Sequence, residues 1–467
     1  MEMPHEHYPT FTLEHFGPVY RGSFTLRPLT IFIGPNNTGK SYTATLVYAL
    51  ARYLTQGRRF DRFLLRSRYR RKETQRPSAR VREDLPESTR HDIESKEERF
   101  PEILSKRVSM VLEQYFGTLS QAATPLQSPT AIRVNVQDRD FLEVIVEREL
   151  SVVLAKDFTP RVHEIDWWDE HSQILLRVDE NLRTDLLIEE TWARILQRCG
   201  MAFEDAWYLP PARSGFLAGW PLLTSLTIDF VRQSIGRNPV SISSLSGTAG
   251  DFVQILLNLI ATASERALPA ETQALDAALE VLEQDVLQGT IETPRSQRDL
   301  GDLQYVTGGL RLPVQRSSSL VGELAPLDLV MRRLLSPGDL LVIDEPEAHL
   351  HPENQRRIAR VLARLAVAGV TVIAPTHSPT IIHQVSNLVR ASMLDDAALH
   401  EIGLRASDRI RPEMVGIYVF QVTERGSEIR EVAFDPEFGY PEDEFLGVAE
   451  SLSRQSYQID EKQPVTT

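Results

Sequence analysis

Three short runs in the chain hold residues whose types and order could do chemistry on phosphates. The first, Gly34-Pro35-Asn36-Asn37-Thr38-Gly39-Lys40-Ser41, fits the G-x-x-x-x-G-K-[ST] pattern at every position. Glycines let a main chain wrap closely around phosphate oxygens, and converging N–H groups with a helix N-terminus behind them supply positive potential. In such a loop Lys40 would reach the β- and γ-phosphates of ATP, and Ser41 Oγ would bind Mg²⁺. The second run ends in two adjacent carboxylates. Asp344 is suited to hold Mg²⁺ through water, and Glu345, pointing the other way, to polarise a water that attacks a γ-phosphate. The third is Thr376-His377-Ser378-Pro379, whose imidazole can hydrogen-bond the same phosphate.

These residues need strand ends to hold them. Leu29–Ile33 (LTIFI) is a short, β-branched and aromatic run of the buried-strand kind, and Ala44, Val47, Leu50 and Leu54 after the loop recur at helical spacing. Leu340–Glu345 reads as a second strand, Glu353–Val367 as an amphipathic helix, and Val370–Ala374 as a third strand. Strand, helix, strand implies a parallel βαβ unit, and ligands of such sheets gather beyond the carboxyl ends of the strands. An α/β nucleotide-binding fold of the P-loop kind is therefore expected.

Taken with Phe16-Gly17-Pro18, Tyr208-Leu209-Pro210-Pro211-Ala212-Arg213-Ser214 and Ser317–Leu324, these runs resemble the ABC-type ATPase superfamily outside the transporters. The nearest resemblance is to its OLD-like and SMC/RecF-like cytosolic members. It implies a P-loop NTPase fold with an ABC-type head: a mixed core sheet, an antiparallel β lobe and a helical lobe bearing a signature motif. It further implies a head-to-tail dimer or higher oligomer in which ATP is enclosed between one copy's loop and the other's signature. Two stretches compete for that signature. Leu245-Ser246-Gly247-Thr248 is closer in letters, but Ser319 lies 25 residues before Asp344 and Ser246 98 before it, and the signature helix must feed the acidic strand. Spacing favours Ser318-Ser319, although Leu320 and Val321 replace the usual glycines. The superfamily's Q-loop glutamine has no counterpart near Tyr208–Ser214. Arg213 is left with three readings: a γ-phosphate contact, a coupling between lobes, or a surface ion pair. Phe16 and Tyr20 are open to stacking on adenine or to packing against the first sheet. His349 and His351 sit where the resemblance puts the segment facing the other subunit, and no further ligands accompany them to form a zinc site.

The chain has 467 residues, a net charge of −14 and one cysteine, Cys199, which excludes a disulfide framework and a cysteine-rich zinc site. No apolar run reaches the ~18–20 residues of a membrane span. The best run, Phe252–Ala263, is broken by Gln254 and Asn258. A cytosolic protein is expected. The expected organisation is a nucleotide lobe from 1–54 and 336–452, an insertion at 55–205, a mostly helical signature lobe at 206–335 and a disordered tail at 453–467. Arg58–Arg82 holds eleven Lys/Arg and two acids in 25 residues, interleaved with Phe60, Phe63 and Tyr69. A DNA or RNA backbone, an acidic protein partner and plain solvated surface all fit it. Asp395-Asp396 and Glu442-Asp443-Glu444 lack the strand-end placement of a nuclease metal site and read as solvated faces. The resemblance to OLD-like ATPases without a Toprim domain implies a switch regulating a separate effector or toxin in anti-phage defence. A RecF-like DNA clamp and a self-contained nuclease are the alternatives.

Overall fold

The computed structural model describes residues 8–52, 109–116, 130–136, 139–146, 150–154, 203–219, 247–261, 273–293 and 303–441, with 454, 455 and 458. Arg58–Arg82, Cys199, Ser246, Glu442–Glu444 and nearly all of the 453–467 tail lie outside them.

Strands β1 (Thr10–Phe16) and β2 (Val19–Thr25) form a hairpin that precedes β3 (Leu29–Ile33). Helix α1 (40–52) follows the loop, and α2 spans residues 109–116. Then come β4 (Thr130–Val136), β5 (Arg139–Val146), β6 (Leu150–Leu154), β7 (Ala206–Leu209), α3 (Arg213–Ala218) and α4 (Gly247–Ala261). Helix α5 (Gln273–Glu280) runs into a π-helical turn at Val281–Leu287. The chain continues through β8 (Thr290–Glu292), β9 (Gln304–Thr307), β10 (Leu310–Pro313), α6 (Ser319–Arg333), β11 (Leu340–Ile343), α7 (Pro352–Val367), β12 (Thr371–Pro375) and α8 (Pro379–Ala391). Helix α9 (Asp396–Glu401), β13 (Val415–Thr423) and β14 (Gly426–Glu431) complete the description.

One sheet carries the fold, in the order β6-β5-β4-β1-β2-β14-β13-β3-β12-β11-β7. From β13 to β7 every pairing is parallel, and from β6 to β2 every pairing is antiparallel. The antiparallel β13–β14 hairpin joins the two halves, with β13 parallel to β3 and β14 parallel to β2. The mixed α/β fold expected of a P-loop ATPase is present.

Alternation along the strands sorts the core into two faces. Phe32, Tyr208, Leu340, Val342 and Ile373 pack with Ala44, Val47 and Tyr48 of α1 and with the β1–β2 hairpin. Leu29, Ile31, Leu341, Ile343 and Val372 face the other way, against Leu324 and Leu327 of α6, Ile358 and Leu362 of α7, and Val385 of α8. The region expected to be mostly helical also holds a separate small antiparallel sheet, β10-β9-β8. Its strands have three or four residues, too few for alternation to stand out, and Gly308 and Gly309, both at positive φ, make its hairpin turn.

Aromatic packing closes the antiparallel wing onto the core. Phe24 stacks on Phe11 and meets Phe32 edge-on, both at 5.1 Å between ring centroids. Phe24→Ala is expected to cost about 3–5 kcal/mol, measured by denaturant unfolding. A loss under about 1 kcal/mol would show that the wing is held by other contacts.

Candidate functional site

The loop after β3 is shaped by backbone that only particular residues tolerate. Gly34 sits at φ +135°, where a Cβ would come within 2.5 Å of the Phe420 carbonyl oxygen. Gly39 sits at φ +98° against Val19. Asn37 adopts φ +62°, a left-handed conformation that asparagine bears better than most residues. Thr38 Oγ1 closes the turn by donating to the Pro35 carbonyl at 2.9 Å. Pro35, Asn36, Asn37 and Ser41 are exposed, and Thr38, Gly39 and Lys40 lie inside. Lys40 Nζ turns back to donate to the carbonyls of Gly34 (2.9 Å) and Pro35 (2.6 Å). Burial lowers its pKa to about 8, against the pull of Asp344, Glu345 and Glu347.

The carboxylates arrive from β11. The Asp344 N–H donates to the Leu209 carbonyl of the β7 side, and the Glu345 N–H to Pro375 on the β12 side. Asp344 therefore shares the face of Val342 and Tyr208, toward α1. Its Oδ1 accepts from Ser41 Oγ at 3.0 Å and its Oδ2 from the Tyr208 hydroxyl at 3.1 Å. Burial raises Asp344 to about 6, with the two hydroxyl donors opposing that rise. A hydroxyl and a carboxylate oxygen side by side are the hard oxygen donors Mg²⁺ takes while keeping several waters. The chemistry of this donor set fits that ion. Glu345 stands at φ +48°, a strained conformation for a non-glycine residue.

Glu347 ties the acidic turn to the third run. One of its oxygens accepts from Thr376 Oγ1 at 2.7 Å, the other from the His377 N–H at 2.6 Å, and burial raises its pKa. Ser378 caps α8 by accepting from Ile381 N, with Pro379 in the first turn. The His377 side chain reaches the Gly34 main chain. Burial first, then Lys40, lowers its pKa, so it is neutral near pH 7.

Gly34 to Ser41, Asp344, Glu345 and His377 thus meet at the carboxyl ends of β3, β11 and β12. Arg213 is placed differently from a phosphate ligand. It has no exposed surface, and its guanidinium donates to the carbonyls of Pro210, Glu323, Asp344 and Glu345. Of the readings open to it, coupling between elements matches this geometry. Phosphate contact and a surface pair do not. Ser319 is exposed at the first turn of α6, beside the Ser318 cap. Phe16 is buried against Tyr42 and Phe116. Tyr20 packs edge-on to His15 and accepts from Arg425. His351 caps α7, with its Nδ1 accepting from Glu353 N. Asp395 caps α9. Tyr208, Glu323 and Glu347 were not singled out in the sequence. Tyr208 and Glu323 lie within quoted motifs and Glu347 follows the acidic pair, but their roles depend on side chains that meet only in the fold.

Residues 321–383 match the family described as "AAA domain, putative AbiEii toxin, Type IV TA system". A stretch of 118 residues is 29% identical to the probable syringafactin export ATP-binding/permease protein SyfD of Pseudomonas syringae pv. tomato. It covers 25% of this chain and 18% of that protein. Similar solved structures include the SMC head domain from Thermotoga maritima, at 11% identity and a TM-score of 0.37 over 92% of this chain and 100% of that one. Another is the SmcHead bound to the C-winged helix domain of ScpA, at 10% identity and a TM-score of 0.40 over 92% and 99%. Residues 321–383 are thus similar to an AAA domain, and the mixed sheet has the fold of a P-loop ATPase. Among its described residues no helix is long and apolar enough to cross a membrane.

The buried lysine sets a pH signature for nucleotide binding. A triphosphate beside Lys40 favours the charged ammonium, so the bound-state pKa exceeds the free value of about 8. Affinity for ATP is then greatest below that pH and falls as pH rises through and beyond it. Calorimetry near pH 9 in buffers of different ionisation enthalpy is expected to show proton uptake on binding, absent in Lys40→Ala. Binding without uptake would contradict the placement of Lys40.

Proposed function

We propose that the chain is an ATP-hydrolysing switch that works as a head-to-tail dimer or higher oligomer and controls a separate effector. The observation that carries the hydrolytic reading is the 3.0 Å contact between Ser41 Oγ and Asp344 Oδ1, with Glu345 on the opposite side of the same strand end. In this reading Gly34, Pro35, Asn36, Asn37, Thr38 and Gly39 present main-chain donors to the phosphates. Lys40 leaves the two loop carbonyls for the β- and γ-phosphate oxygens. Ser41 and Asp344 would hold Mg²⁺, which when bound would supply charge neutralisation at those phosphates. Glu345 accepts a proton as a water oxygen bonds to the γ-phosphorus, and the bond to the ADP oxygen breaks. Neutral His377 donates a hydrogen bond to the γ-phosphate.

Two features support a second copy as part of the site. Helix α6 packs on the sheet face opposite α1, and its N-terminal Ser318 and Ser319 are exposed. A helix N-terminus with an exposed Ser319 hydroxyl beside the capping Ser318 suits the γ-phosphate of a neighbour's nucleotide. The effector role, with an anti-phage or toxin–antitoxin setting, is supported by the resemblance to OLD-like ATPases and by the description of the family matching residues 321–383.

Glu345→Gln is expected to keep ATP affinity, lower turnover at least about 100-fold, and accumulate an ATP-dependent dimer in sedimentation. Near-wild-type turnover would remove Glu345 as the base. An ATP-bound variant that stays monomeric at all concentrations would remove the dimer.

A further inference from the structure

Glu323 is a carboxylate without exposed surface, one turn inside the helix that presents Ser318 and Ser319. Its Oε1 accepts from the main-chain N–H of Ser214 at 3.2 Å and from Ser214 Oγ at 2.5 Å. Its Oε2 accepts from the Arg213 N–H at 3.0 Å and lies 3.3 Å from Arg213 Nε. The same guanidinium donates to the carbonyls of Asp344 at 2.8 Å and Glu345 at 3.3 Å. His349, on the turn after Glu345, brings Nε2 to 3.8 Å from Glu323 Oε1. A rigid, planar ion therefore spans α6 on one side and two successive main-chain oxygens of the acidic turn on the other.

We infer that Glu323 and Arg213 are a positioning pair through which the helix carrying Ser318 and Ser319 sets the main chain of Asp344 and Glu345. The inference rests on the ATP-hydrolysis reading above and assigns its regulation to this pair. Glu345 occupies a left-handed conformation at φ +48° that its own residue type does not favour. Its N–H is held by Pro375 and its carbonyl by Arg213 and by the Ala348 N–H. Of these holds, the one through Arg213 leads to α6. A shift at the exposed end of α6, where another molecule can touch it, is thereby carried to the carboxylate beside the phosphates. A bare lysine could neutralise Glu323 but could not reach all these oxygens in one plane.

Two variants separate positioning from simple structural support. Removing one member strands the other as a buried charge, so the pair is removed together as Arg213→Met with Glu323→Gln. Arg213→Lys keeps the charges and loses the fork. Both are read by thermal unfolding, by fluorescent-ATP affinity and by steady-state turnover. The expected result is a folded protein with unchanged ATP affinity and kcat lowered roughly 10- to 100-fold in each. A folded variant of either kind with wild-type kcat overturns the pairing role. Loss of affinity in proportion to kcat also overturns it, because the pair would then support the pocket as a whole. A wild-type chain without any ATP turnover would instead remove the hydrolysis reading itself.

Discussion

Parallel pairing of β3 with β12, and of β12 with β11, is the constraint on which the site depends. Because these strands run the same way, their carboxyl ends open on one edge, and every group that could touch a nucleotide leaves from that edge. The two-residue period then divides the labour. Asp344 falls on the face of α1 and meets Ser41, whereas Glu345 turns to the β12 side, toward the segment of His377. A slip of one residue in β11 would exchange the two carboxylates and put Glu345 under α1. The apolar sorting of Val342 from Ile343 between opposite core faces prevents that slip.

The same edge stores electrostatic tension. Lys40 is buried far enough to lose much of its basicity, and Asp344 is buried far enough to gain some, although they share one pocket. Desolvation outweighs the pull of Asp344, Glu345 and Glu347 on the lysine, and that of the two hydroxyls and Arg213 on the aspartate. The lysine is satisfied by two loop carbonyls and the aspartate by two hydroxyls, so each is hydrogen-bonded without a direct ion pair between them. Such a site is prepared for a ligand that brings both signs, phosphate oxygens and a divalent cation, because each then restores charge to a group that burial has disfavoured. Tyr208 adds rigidity. By holding Oδ2 it leaves Oδ1 aimed at Ser41, an orienting contact of the kind that metal ligands commonly have.

Much of this was legible in the residues themselves. The run Leu29–Ile33 matches β3 end for end, and the strands and helix around Asp344 and His377 lie within a residue or two of their expected places. They were readable because buried parallel strands are short, continuous apolar runs and because glycine and proline mark their ends. The role of Arg213 was not readable. Its sequence context allowed three environments, and only the approach of α6 shows that its partner is a buried glutamate 110 positions away. The small β8–β10 sheet was missed for a different reason, since its strands are too short to show a period. The insertion of the β13–β14 hairpin beside β3 was equally hidden, because hairpin signals are local and the sheet neighbour is not.

Distance along the chain also shapes how the site behaves. Ser41 and Asp344 are separated by 303 positions, yet their contact is one hydrogen bond. Residues 321–383 supply α6, β11, α7, β12 and the start of α8, so the acidic and histidine groups form one local unit. The phosphate loop joins that unit by the pairing of Leu29–Phe32 with Val372–Pro375. Closing so long a loop costs conformational entropy before the contact returns any energy. A ligand held by Lys40 and Ser41 on one side and by Asp344 and His377 on the other therefore clamps two sequence-distant halves. Its binding energy would add to the stability of the folded chain, which alone brings those halves together.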